Sequence, residues 1–125
     1  MRRDALLWCL IAYTAASLFH YSHNAEFITD YPNLPAWLTR AEVYAAWAGV
    51  TAVGVVGYAL VKRGFESAGL LVLTIYGLMG LDGLGHYAVA PIAAHTLAMN
   101  ASICLEAATG LALVAAVARL KPSRY

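Results

Sequence analysis

The chain has 125 residues, of which 62% are hydrophobic and only 12% charged, and its mean hydropathy is +0.66. A soluble domain carries about twice that charged fraction, and a chain this short leaves too much surface outside to hide so many apolar side chains from water, so an ordinary soluble enzyme and a disordered chain are both excluded. Eight Lys+Arg against seven Asp+Glu give a net charge of +1, which provides no basic field for nucleic acid and leaves the lipid bilayer as the expected partner.

A bilayer core about 30 Å thick needs about 20 apolar residues in a helix. Four stretches approach that length, and all are too long for barrel strands. The first runs from Ala5 to Tyr21, behind Arg2 and Arg3. Its polar residues Tyr13, Ser17, His20 and Asn24 recur at helical spacing and share one stripe. Arg2-Arg3, the apolar run and the small residues Ala15 to Ser17 also fit a secretory signal peptide, with residues 1–17 removed. The N-terminal mass of the purified protein decides between them. The outer loop, residues 24–40, is the one long connection, and it contains His23's neighbour Asn24, Glu26, Pro32 and Pro35. Such length marks either a functional loop or a segment lying on lipid headgroups.

The second span runs from Val43 to Val61. Thr39 followed by Glu42 has the spacing of a capping box and predicts the helix start. Lys62-Arg63-Gly64 sets cations in the last turn and a residue free to turn left-handed after it. Ala45, Gly49 and Gly57, with Val53 between them, predict a close-packing face. Tyr44, Trp47, Thr51 and Tyr58 lie along a side expected to face the bundle. The third span, Ala68 to Val89, is thinned by Gly69, Gly77, Gly80, Gly83 and Gly85. It carries Asp82 four residues before His86, the spacing of a pair on one helix face.

The fourth span runs from Ile92 to Leu120, with Pro91 predicted in its first turn and Lys121-Pro122 ending it. His95, Met99, Ser102 and Glu106 share a stripe, with Asn100 beside it. Cys9 and Cys104 sit in apolar runs and read as free, buried thiols. No CxxC, phosphate-cradling loop, nucleophile elbow or HExxH is present.

With four spans, Arg2, Arg3, Lys62, Arg63, Arg119, Lys121 and Arg124 fall on one side, and Arg40 alone falls on the other. The positive-inside rule makes the first side cytoplasmic. The expectation is therefore all-α: an integral membrane four-helix up-down bundle, a single transmembrane domain over residues 1–125, with N and C termini cytoplasmic, in a bacterial inner membrane. Tyr21, Tyr31, Trp37 and Tyr87 would lie at the outer interface.

All four histidines then gather near the outer face. An ionisable group within a span faces the bundle interior, finds a partner or lines a wet cavity. His20, His23, Asp82, His86 and His95, with Glu26 from the loop, are the predicted ligands of a transition metal, whether zinc, iron or copper. Binding, transfer and sensing all fit such a site, and no catalytic residue is assigned. The same geometry admits a b-type haem held by two of His20, His86 and His95, or a quinone-linked electron-transfer subunit. Tyr13, Asn24, Asn100 and Glu106 would form a proton relay or a structural polar network. In a third reading the protein is a non-catalytic accessory subunit of a larger membrane complex or a homo-oligomer, and the cluster only holds helices together.

Overall fold

The structure, a computed structural model, describes residues 2–120, so Lys121-Pro122 and Arg124 lie outside the described residues. It is all-helical in its regular structure. The helices are α1 (Arg2–Glu26), α2 (Arg40–Lys62), α3 (Glu66–Met79), the short α4 (His86–Val89) and α5 (Leu97–Ala118), with 3-10 turns at Asp82–Gly85 and Ile92–Ala94. Four helical segments, Arg3–Glu26, Arg40–Lys62, Glu66–Val89 and Leu97–Ala118, are long and apolar enough to cross a membrane.

α1 packs on α2 and α5, and α3 packs on α2 and α5, which closes the long helices into a ring. Leu6, Tyr13, Leu70, Leu73, Tyr76, Leu113 and Val117 form the core inside it. Small residues set the helix separations. A Cβ on Gly54 would stand 2.5 Å from Tyr76 Cε1, and one on Gly57 would stand 2.9 Å from Leu73 Cγ. A Cβ on Gly77 would meet the carbonyl oxygen of Gly110 at 2.8 Å. Van der Waals contact between close backbones is what joins helices in lipid, where apolar association has little driving force. The buried face of α2 carries Val43, Gly54 and Gly57. Gly49, expected on that face with Ala45, is exposed and meets nothing. The face is set by the rows through Val43, Gly54 and Gly57, which Gly49 does not share.

The capping box at Thr39 and Glu42 is present, with Thr39 N–H donating to Glu42 Oε2 at 2.7 Å. Gly64 takes φ +91 after α2, the left-handed cap that Lys62-Arg63-Gly64 predicts. Three boundaries differ. α1 continues past Tyr21 to Glu26, because Ser22 to Glu26 are tied to the loop and not released into it. The third span is broken: α3 stops at Met79, and the chain tightens into a 3-10 turn before α4. Gly80 and Gly83 are the cause. Glycine weakens a helix, and here the backbone runs so close to its neighbours that a Cβ on Gly80 would lie 2.8 Å from Tyr13 Cε2. The fourth span starts late. Pro91 precedes a 3-10 turn, His95 is extended at φ −101 and ψ 143, and α5 begins after Thr96, whose Oγ1 accepts from Met99 N–H at 3.2 Å.

Polar side chains share the interior with this apolar core, and large apolar ones face outward. Ser17, His20, Asn24, His95, Ser102 and Glu106 are buried, while Trp8, Trp37, Val55, Leu71 and Leu97 are exposed. Large apolar side chains facing outward, with buried polar groups paired inside, fit a lipid surround. Cys104 is exposed and Cys9 half-buried, and both are free, so the burial expected for Cys104 is not found.

Candidate functional site

The buried polar groups collect where α1 and α5 meet the broken third span. On α1 the stripe Tyr13, Ser17, His20 and Asn24 is buried throughout. On α5 the stripe Met99, Ser102 and Glu106 is equally buried. His20 reaches across: its Nδ1 lies 3.1 Å from Ser102 Oγ, and its Nε2 lies 3.7 Å from Glu106 Oε2. His86, at the start of α4, meets Asn24, with Asn24 Nδ2 at 3.1 Å from His86 Nε2. Ring centroids are 5.5 Å apart for His20 and His86, and 6.0 Å apart for His86 and His95. The three imidazoles thus form a row.

The other predicted site residues lie elsewhere or act otherwise. Asp82 does not pair with His86. A 3-10 turn has three residues per turn, so Asp82 and His86 no longer share a face, and Asp82 is an exposed part of the polar lining of a cleft. His23 is bound through Nδ1 to the Tyr31 hydroxyl at 2.9 Å. Glu26 is exposed and bound to Arg40 at 2.7 Å and to the Tyr44 hydroxyl at 2.7 Å. His95 is buried outside α5, its Nδ1 3.0 Å from Pro91 O and its Nε2 without a partner. Asn100 holds this corner, accepting from Tyr87 at 2.7 Å and donating to the carbonyl oxygens of Ile92 and His95 at 3.3 Å. Among the described residues no group of three or more His, Cys, Asp or Glu side chains is arranged to hold a metal ion. Nor do His20 and His86 face one another across a slot for a macrocycle, since their Nε2 atoms point at Glu106 and Asn24.

A cleft of about 420 Å³ opens beside this row. Its polar floor is His20, Tyr21, Asn24, Asp82 and His86, and its apolar walls are Leu34, Pro35, Leu38, Val43, Ala46 and Val89. The loop after α1 forms the wall opposite the histidines. Asn33 adopts φ 58 and donates from Nδ2 to Val89 O at 2.9 Å, fastening the loop to the end of α4. Left-handed backbone is tolerated by asparagine, and the Pro32-Asn33 pair was the available sequence signal for that turn. Tyr31, expected at the membrane interface, is instead buried against His86 at a centroid distance of 4.9 Å. Burial pushes its phenol up to about 12. Ser17, Tyr21, Tyr31, Asn33 and Gly83 are site residues that the pattern of ionisable groups did not single out. Ser17 was legible from its stripe alone.

Several buried polar atoms at the site lack partners: Tyr13 Oη, Ser17 Oγ, Asn24 Oδ1, His95 Nε2 and Glu106 Oε2. A native interior rarely leaves such atoms unmatched without water or a ligand. No family model, curated protein or solved structure matches the chain.

Proposed function

We propose that the protein crosses a bacterial inner membrane four times as an up-down bundle with both termini cytoplasmic. In this reading the cleft faces outward and binds a small amphipathic ligand of the quinone class, making the protein a quinone-linked membrane subunit. The orientation is supported by the cations Arg3, Lys62, Arg63 and Arg119 at one set of helix ends against Arg40 at the other. The observation that carries the ligand reading is the Asn24 amide at the floor of the cleft. Its Nδ2 is engaged by His86, and its Oδ1 is buried and unmatched. A ligand hydroxyl donating to Oδ1 would satisfy it, and a ligand carbonyl could accept from His86 or Tyr21. The apolar walls suit a ring and its tail, and the volume falls in the ordinary range for small-ligand sites, about 300–1,000 Å³.

Titration of the purified protein in nanodiscs with a short-tail quinone, read by tryptophan fluorescence, tests the proposal. Saturable quenching is expected, and Asn24→Leu should weaken it about tenfold, the equivalent of one hydrogen bond to a buried group at about 1–1.5 kcal/mol. Quenching that never saturates and is the same in the variant would reject the ligand.

A further inference from the structure

We infer that His20 and Glu106 form a proton-binding site that holds one proton between them and exchanges it with the outer cleft. Ser102 orients the His20 ring. Its hydroxyl donates to Met99 O at 2.9 Å, and a serine hydroxyl has one hydrogen. While that bond is kept, Ser102 Oγ accepts from His20 Nδ1, 3.1 Å away. Nδ1 carries the imidazole hydrogen, and in the neutral ring Nε2 is a bare lone pair. That lone pair faces Glu106 Oε2 at 3.7 Å, and Oε2 has no other partner. Two acceptors confront each other in the interior, where Glu106 is 1% and His20 3% exposed. A proton on Oε2, donated to Nε2, turns this opposition into a hydrogen bond once the pair closes by about 1 Å.

The surroundings select one proton. The titratable groups around the pair are Tyr13, Tyr21 and His23 on α1, Tyr31 in the loop beside Ser102, Tyr76 on α3, Asp82 in the 3-10 turn and His86 on α4. None carries a fixed positive charge. An ionised Glu106 beside neutral His20 would be a buried anion facing Asp82, with no cation beside it and only the Ser17 hydroxyl near enough to bond it. A second proton would place an imidazolium against His86 and His23. A carboxylic acid bonded to a neutral imidazole avoids both penalties.

The site also has an entrance and a closed end. His20 and Gly83 both line the cleft. A Cβ on Gly83 would stand 3.1 Å from Glu106 Oε2 and 3.3 Å from His20 Nε2, so at this position no side chain stands between the pair and the cleft. Inward along α1 come Ser17 Oγ and Tyr13 Oη, both buried and unpartnered, which can hold ordered water. Leu6, Leu73 and Leu113, at most 2% exposed, then close the path. The pair is thus a store reached from one side and not a conduit across the bundle. It stands independently of what the cleft binds, and it could take a proton from, or return one to, a hydroxyl placed there.

Infrared spectroscopy of the ligand-free full chain in nanodiscs at neutral pH tests the assignment. A carbonyl band of a protonated carboxylic acid is expected. Glu106→Gln should remove it and Asp82→Asn should leave it, and it should shift in D₂O because the cleft is open to exchange. Nitrogen-15 NMR of the wild-type protein, which needs no variant to fold, should show His20 as the neutral Nδ1–H tautomer. Loss of only a carboxylate band in Glu106→Gln, an imidazolium or Nε2–H signal for His20, or a band that never exchanges in D₂O would overturn the proposal.

Discussion

Tyr31 shows how one residue couples the loop to the site. Its hydroxyl meets His23 Nδ1 at 2.9 Å and its ring lies 4.9 Å from His86. Burial holds the phenol protonated, with the folded value pushed from 10.0 to about 12. A group that binds its proton more tightly when folded stabilises the fold fully below its unfolded value, and that stabilisation is lost as pH rises towards the folded value. Thermal stability in detergent should therefore fall between pH 10 and about 12. Tyr31→Phe should flatten that fall while lowering stability at pH 7 by about 1 kcal/mol for the lost hydrogen bond. An unchanged slope in the variant would assign the alkaline loss to other groups. The comparison reads the loop's attachment directly, since the phenol titrates normally once the loop leaves His86.

Among the elements, the glycines divide by what surrounds them. Gly110 on α5 abuts the Gly77 carbonyl of α3, and any Cβ there collides with backbone that cannot turn aside. Gly110→Ala should cost about 1–3 kcal/mol by overpacking. Gly49→Ala, with open space around it, should gain up to about 1 kcal/mol, because alanine loses less backbone entropy in a helix. Unfolding in mixed detergent with SDS measures both, and equal effects would deny that the α3–α5 approach is tight. The same contrast explains what the sequence could reveal. Spacing along one helix placed Tyr13, Ser17, His20 and Asn24 together, and likewise Met99, Ser102 and Glu106, because each stripe depends on its own period alone. The cap at Thr39 was legible for the same reason. The break after Met79 was not, since it follows from how closely Gly80 and Gly83 approach Tyr13 and Glu106, which belong to other helices. That break moved Asp82 away from His86, and the cap at Thr96 left His95 outside α5, so the expected ligand set dispersed although its members stayed near one end.

For the molecule as a whole, sidedness decides whether the cleft and its proton site serve the exterior. Among the described residues, two Arg–Glu ion pairs tie helix ends together: Arg3 to Glu66 at 2.9 Å between the beginnings of α1 and α3, and Arg40 to Glu26 at 2.7 Å between the end of α1 and the beginning of α2. The first leaves Arg3 76% exposed, and exposed ion pairs contribute about 0–1 kcal/mol, so neither contact fixes the orientation energetically. That falls to the distribution of cations, which the translocation machinery reads within about 15–20 residues of each span. In a variant with Cys9 and Cys104 replaced by alanine, a single cysteine at Asn33 should react with a membrane-impermeant maleimide on intact cells. One at Gly64 should react only after permeabilisation. The reverse pattern would put the cleft on the cytoplasmic side. It would leave the His20–Glu106 pair intact, but the pair would then exchange its proton with the cell interior, and the cations at Lys62 and Arg63 would have to be explained by something other than insertion.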